Sequence, residues 1–374
     1  MSDLKAHRLV LFFTQGVSLK TWSTIGMLDR EISLYRSLRP HMQNITFVTY
    51  GNALDLRYTD SLEGIKVICN RYGIPHRWYV SLLPFFYRLF LNGPSIIKSN
   101  QIPGADVALQ VAKLCGMKFI ARCGYLHADF MERRHGAQSI EAKRARALEE
   151  KVFTDADRVV VTTPTMSTAV KEHYQLSEER VRVIPNYVQC DLFSPSKNGL
   201  SSTQRICYVG RLDEQKNLFA LLEAIKGLDV ELVIVGSGPL GERLQEEVIR
   251  SSLPVRFLGN VVHQRLPEIL NSSALFILPS LYEGHPKVLL EAMACGVPVI
   301  GTDVPGIREL IHHRETGYLC GTSSQEIQDA LRYVLSNATL CNHMGNNARD
   351  FVKEHCALER IVDMELTLLH ELAE

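Results

Sequence analysis

Apolar runs of strand length alternate with helix-period stretches along almost the whole chain, and the series runs twice. This alternation limits the fold more than any composition figure. Short apolar strands separated by helices pair as parallel sheets, with the helices packed on their faces. In the first series, 9–14, 45–49, 65–69, 95–99, 118–122, 158–162 and 182–184 read as strands, with helices over 24–38, 106–115 and 139–154 among them. A polar, small-residue stretch from Phe193 to Thr203 then reads as a linker. The second series has strands at 205–209, 231–235, 255–258, 275–278 and 297–300, and helices at 219–226, 241–251, 266–271, 288–294 and 324–335. The spacing predicts two facing, doubly wound α/β (Rossmann-like) domains, with ligand at the carboxyl ends of their strands. The expected boundaries are 1–190, a linker at 191–204, and 205–352. The tail over 348–372 is strongly helical, and from about residue 353 to 374 it is expected to cross back onto the first domain.

A length of 374 residues provides for two substantial cores. The formal net charge is zero but unevenly spread: residues 1–190 hold 25 Lys/Arg against 17 Asp/Glu, and 191–374 hold 16 against 24. Either the two halves attract across a shared cleft, or a basic first half faces an acidic membrane surface or anionic acceptor. Nine cysteines without a CxxC pair read as free thiols in a reducing compartment. The five apolar residues Leu9 to Phe13 read as a strand, not a signal peptide. The longest apolar-rich segment, 78–91, is broken by Ser81, Pro84 and Arg88 and falls short of the roughly 18 residues that mark a bilayer-spanning segment. It reads as a buried or surface-docking helix, and its aromatic and basic character leaves peripheral membrane contact through the first domain open. The expectation is a cytoplasmic protein, with contact at the inner face of the membrane left open and no nucleic-acid partner.

Glu283 and Glu291 bracket an apolar stretch that reads as a helix start, with Pro286 suited to its first turn. Eight helical steps would separate them by about 12 Å, which suits an elongated ligand better than a side-by-side acid pair. A nucleoside diphosphate sugar has that layout: the helix opening offers N–H groups to phosphate, and a carboxylate on either side accepts from sugar hydroxyls. Gly210-Arg211 follows the strand at 205–209, with Lys216-Asn217 shortly after. Two cations on one strand-end loop suit a diphosphate, each charge-assisted contact contributing roughly 1.5–3 kcal/mol. Either alone would read as a solvated surface charge. Gly236-Ser237-Gly238-Pro239 is a strand-to-helix turn without the third glycine of the dinucleotide fingerprint, which disfavours NAD or FAD.

Taken in order, Gly210-Arg211, Lys216-Asn217, Gly236-Ser237-Gly238-Pro239, Glu283-Gly284 and the run Glu291 to Ile300 resemble the family-4 retaining glycosyltransferases. The match spans most of 205–320, and Ile184-Pro185-Asn186 resembles the family's turn before the linker. The resemblance implies the two-domain GT-B fold, with donor bound mainly by the second domain and acceptor by the first. It implies that Arg211 and Lys216 hold the diphosphate, that Glu283 contacts the donor sugar and that Glu291 contacts the ribose. Gly210 belongs to the same loop. Backbone N–H groups of Lys287, Val288 and Leu289 after Pro286 would meet phosphate, and the segment with Asn260 and Val262 would lie beside the base. His285 stands where many relatives have another residue, beside the donor sugar. In the first domain, Gly16 matches a close approach to donor phosphate and acceptor. His127 matches a histidine close to the reacting sugar, with Tyr125 and Asp129 as candidate acceptor contacts.

Asp155-Ala156-Asp157 has the spacing of a metal-binding acidic motif, yet it sits at a helix end and reads as a polar cluster there. The histidines, including His312 and His313, form no HxH or HxxxH array. The function expected is metal- and cofactor-independent, retaining transfer of a sugar from a nucleoside diphosphate sugar, UDP by default. The acceptor would be a glycan, glycolipid or small-molecule hydroxyl, in glycan, glycolipid or polysaccharide biosynthesis. The alternatives are a nucleotide-sugar 2-epimerase on the same fold, a phosphorylase with pyridoxal phosphate, and a non-catalytic nucleotide-sugar-binding protein.

Overall fold

The first strand of each series lies inside its own parallel sheet, with neighbours on both sides. The computed structural model describes residues 4–90, 93–196 and 204–374, and the chain divides into two units. One runs to Ile184 and takes up the chain again from Ile361, and the other is Pro185–Arg360.

The first unit contains β1 (Arg8–Phe12), β2 (Asn44–Asn52), β3 (Lys66–Asn70), β4 (Ser95–Ser99), β5 (Lys118–Cys123), β6 (Arg158–Val161) and β7 (Val181–Val183). They lie in the order β3-β2-β1-β4-β5-β6-β7, paired in parallel throughout. Leu9 to Phe12 are wholly buried, as strands covered on both faces require. The helices are α1 (Leu19–Thr24), α2 (Leu28–Leu38), α3 (His76–Phe90), α4 (Ala105–Cys115), α5 (His127–His135), α6 (Ile140–Asp155) and α7 (Pro164–Tyr174). The helix expected over 24–38 starts four residues later, as α2, and α1 lies ahead of the expected range apart from Thr24. Gly26 takes φ +75° and its N–H closes on Ser23 O at 3.0 Å, which ends α1. The segment 78–91 falls in α3, with Pro84 inside the helix and residue 91 outside the described residues.

The second unit contains β8 (Arg205–Val209), β9 (Glu231–Val235), β10 (Val255–Gly259), β11 (Leu275–Leu278), β12 (Val299–Thr302) and β13 (Tyr318–Cys320), in the order β10-β9-β8-β11-β12-β13. Its helices are α8 (Leu218–Ala224), α9 (Gly241–Arg250), α10 (Leu266–Asn271), α11 (Lys287–Ala294), α12 (Ser324–Leu335) and α13 (Ala338–His355), followed by α14 (Leu358–Ala373). Strand β12 begins two residues later than expected, because Val297 belongs to the turn out of α11 and its N–H bonds Ala292 O at 3.2 Å. Strand β13 is three half-buried residues, too short to signal in sequence. In each sheet the order reverses beside the first strand, between β1 and β4 and between β8 and β11. Such switch points leave a crevice at the carboxyl ends of the strands.

The chain leaves the first unit after Ile184, ahead of the stretch expected as linker. Residues 191–196 lie in the second unit with Phe193 fully buried in its core, an apolar anchor within an otherwise polar run. Residues 197–203 lie outside the described residues. The helical tail is broken at Cys356-Ala357, where Val188 donates to Cys356 O (2.9 Å) and accepts from Leu358 N–H (3.0 Å). Residues 353–360, expected to join the first domain, belong to the second unit; α14 enters the first from Ile361. There Glu365 meets Lys98 of β4, with side chains 1% and 0% exposed, and Glu371 meets Arg182 at 3.0 Å. No described helix is long and apolar enough to cross a membrane.

Candidate functional site

The switch point of the second sheet lies between β8 and β11, and the loops leaving these two strands are tied together. Gln215 Nε2 donates to Tyr282 O at 2.7 Å, and Leu281 N–H donates to Gln215 O at 2.8 Å. Between these anchors the Lys216 ammonium pairs with Glu283 Oε1, which also accepts from Ser280 Oγ at 2.7 Å. The side chains of Lys216 and Glu283 are 11% and 8% exposed, so each charge is fixed in place by the other. Both bonds fall on Oε1.

Arg211 behaves differently from Lys216. Its side chain is 71% exposed and bonds Asp213 Oδ2 at 3.2 Å and Gln215 Oε1 at 3.4 Å. Its backbone carbonyl accepts from Tyr208 Oη at 2.8 Å, and a Cβ on Gly210 would stand 2.5 Å from that same hydroxyl. Gly236 and Gly238 serve backbone packing. A Cβ on Gly236 would lie 2.0 Å from Gly210 O, and one on Gly238 would lie 2.4 Å from Leu212 O. Leu212 N–H accordingly donates to Ser237 O at 3.0 Å.

Helix α11 opens four residues after Glu283. Pro286 is its N-cap rather than part of its first turn, and Glu283 stands in the preceding loop, so the eight-step helical spacing does not hold. Leu289 N–H bonds Pro286 O at 3.1 Å inside the turn and so does not point out of the helix start. His285 is buried, its carbonyl accepting from Asn186 Nδ2 at 2.6 Å, and Lys287 Nζ lies 5.3 Å from the centre of the Tyr187 ring. Asn186 and Tyr187 therefore support the loop that delivers α11.

Glu291, one turn into α11, is 2% exposed, and its Oε1 lies 2.8 Å from His263 Nε2. The Phe193 ring packs on His263 at 4.9 Å. Asn260 and Val262 follow β10; Asn260 Oδ1 accepts from Ser237 Oγ at 3.0 Å, and Val262 is 54% exposed. Sequence reasoning missed His263 and Gln215, whose roles come from long-range pairing, and Ser280, which bonds Glu283 three residues on. It also missed Gly306, where a Cβ would stand 2.2 Å from Gly284 O.

In the first unit, Gly16 follows β1 with φ +79° and open space where a Cβ would be. His127 begins α5. Its backbone N–H donates to Glu149 Oε1, as does Ala128 N–H at 3.1 Å, while Tyr174 Oη donates to Glu149 Oε2 at 2.7 Å. Glu149, unmarked in the sequence, thus caps α5 from α6. Burial pushes its carboxyl up to about 6 against those three hydrogen bonds. Burial also pushes the His127 imidazole down, favouring the neutral ring, and its Nδ1 is buried without a hydrogen-bond partner among the described residues. Tyr125 lies 6.4 Å from His127, ring to ring, and burial raises the Asp129 carboxyl.

Asp155 and Asp157 hold separate lysines, Lys113 at 2.8 Å and Lys118 at 3.0 Å, and Asp157 also caps Phe119 N–H. His313 Nδ1 accepts from Leu319 N–H at 3.1 Å. Among the described residues no group of His, Cys, Asp and Glu is placed to hold a metal ion.

Two Rossmann-like units in one chain are the architecture of the GT-B fold. The fold of this protein matches Anabaena HepE, solved with UDP and glucose, at a TM-score of 0.78 over 97% of this chain and 100% of that one, with 18% identity. It matches sucrose-phosphate synthase of Thermosynechococcus elongatus at 0.80 over 98% and 99%, with 21% identity. Residues 33–192 match the model of glycosyltransferase family 4, and residues 193–351 match that of glycosyl transferases group 1. The chain belongs to this glycosyltransferase family. It is similar to N-acetyl-alpha-D-glucosaminyl L-malate synthase of Bacillus anthracis, 33% identical over 211 residues, which are 53% of each chain. It is also similar to an uncharacterized glycosyltransferase of Methanocaldococcus jannaschii, 26% identical over 68% of this chain and 70% of the other. The first of these matches spans only about half the length of the relative.

Proposed function

We propose that this glycosyltransferase is a retaining, metal-independent enzyme taking its sugar from a nucleoside diphosphate sugar, with UDP the favoured base. The acceptor is a hydroxyl of a glycan, glycolipid or small molecule, in glycan, glycolipid or polysaccharide biosynthesis. The observation that carries the reading is the buried Lys216–Glu283 pair at the β8/β11 switch point, four residues ahead of the opening of α11. UDP is favoured because it is the nucleotide in the HepE complexes, whose fold this chain shares.

In this reading Lys216, Arg211 and the backbone N–H groups of Lys287 and Val288 face the diphosphate. Negative charge grows on the β-phosphate as the glycosidic bond breaks, so these fixed positive groups stabilise the transition state more than the bound donor. Glu283 accepts from a donor-sugar hydroxyl through its second oxygen while its first keeps Lys216 aimed. Glu291, steadied by His263, accepts from the ribose diol, with Asn260 and Val262 beside the base. The departing phosphate takes the acceptor proton on the face it leaves, which preserves anomeric configuration. Gly16 and a neutral His127 belong to the acceptor and reacting-sugar side.

The test is nucleoside diphosphate release across a panel of nucleotide sugars and acceptors. Lys216→Ala and Glu283→Ala are each expected to cut turnover by at least about 100-fold, the cost of removing one fixed charge-stabilising group. Wild-type turnover in either variant refutes the assignment. Activity is expected to persist in EDTA. Nucleotide release that needs no acceptor would instead favour an epimerase, and donor binding without turnover a sensor.

A further inference from the structure

The described side chains of α3, up to Phe85, divide between two environments. Tyr79 and Leu83 are buried in the core of the first unit, and Tyr79 Oη donates to Thr49 O at 3.0 Å, which fixes the inner face. The outer face carries Trp78 and Phe85, 56% and 64% exposed, seven residues apart and so on one side of the helix. Just before α3, Asn70 closes a tight loop by bonding Ile74 N–H (2.9 Å) and Ile74 O (2.5 Å). The loop holds Tyr72, 83% exposed. Single exposed apolar residues are ordinary, but three aromatics on one short loop and helix mark a contact surface.

Along the segment itself the charge is of one sign, and Asp55, which acts on Cys69 and Tyr79 from outside it, is buried. No Asp or Glu occurs between Glu63 and Asp106, while Arg71 and Arg77 are exposed beside the aromatics. The Arg77 guanidinium lies over the Trp78 ring at 5.6 Å. We infer that this face docks on an anionic phospholipid surface, Tyr72, Trp78 and Phe85 entering the headgroup boundary and Arg71 and Arg77 meeting lipid phosphates. Aromatic rings with one wet edge and flanking cations suit that boundary. A second copy of this chain fits worse, because an isologous contact sets the same arginines against each other. The inference is independent of the donor chemistry proposed above.

The experiment is sedimentation of the whole protein with phosphatidylcholine vesicles, with and without phosphatidylglycerol. Partition is expected to be about tenfold higher with phosphatidylglycerol and to fall in high salt. Trp78→Ser/Phe85→Ser and Arg71→Glu/Arg77→Glu should each lower it about tenfold with the melting temperature unchanged. Of the two tryptophans, Trp22 is buried, so a blue shift on adding vesicles reports Trp78. If a double variant fails to fold, Tyr72→Ser, on the exposed loop, provides the same comparison. The inference is overturned if wild type ignores phosphatidylglycerol vesicles or the aromatic variants bind as well as wild type. It is equally overturned if light scattering shows a dimer that these substitutions dissolve.

Discussion

Lys98 and Glu365 join β4 to α14 through an ion pair that water does not reach, and the carboxylate's second oxygen is buried without a hydrogen-bond partner among the described residues. Burial is the largest influence on Lys98 and lowers its pKa, although the Glu365 charge pulls the other way. Attraction therefore does not offset desolvation in full. Removing one partner from such a pair costs about 3–5 kcal/mol, whereas replacing both with apolar residues is neutral or stabilising. Lys98→Met and Glu365→Leu are each expected to destabilise the first unit by about 3–5 kcal/mol, and the double variant to return to within about 1 kcal/mol of wild type. At about 2–4 °C per kcal/mol for a unit of this size, each single substitution lowers its melting temperature by about 6–20 °C. Calorimetry that resolves the two units reads this directly, and hydrogen exchange over α14 should rise in the single variants alone. A double variant as unstable as the two single losses added together would refute the coupling.

Three further outcomes are expected. The Glu149 carboxyl is raised to about 6 by burial, so the folded state binds the extra proton and this group's contribution falls as pH rises from about 4.5 to 6. That contribution amounts to about 2 kcal/mol, and a pH series of urea unfolding on Glu149→Gln should lose this slope; an unchanged slope assigns it elsewhere. His263→Ala removes the 2.8 Å partner of buried Glu291 and should weaken UDP binding about tenfold by calorimetry. Unaltered affinity would detach Glu291 from the ribose. Gly236→Ala places a Cβ 2.0 Å from Gly210 O at φ +126° and should cost at least about 2 kcal/mol in urea unfolding; a stability near wild type would mean the two loops can separate.

Much of this molecule was legible along the chain because strand and helix periodicity are local. The alternation of strands with helices, and with it the loops that follow β8 and β11, is read without knowledge of neighbours, whereas the order of strands within each sheet comes from the tertiary pairing. Breaks within helices were less visible. Gly26 and the Cys356-Ala357 break interrupt patterns that a sequence window reads as continuous, and Phe193 hid an anchor inside a polar run.

The sequence by itself determined two α/β series, the loop carrying Gly210, Arg211 and Lys216, and the glutamates at 283 and 291. Only the tertiary structure decided what each charge does. It separated buried, paired Lys216 from exposed Arg211, gave Glu291 its partner His263, and turned Glu149 into the cap of α5. The physical reason is distance along the chain: Lys216 and Glu283 are 67 residues apart, and no local pattern encodes which long-range neighbour will neutralise a charge.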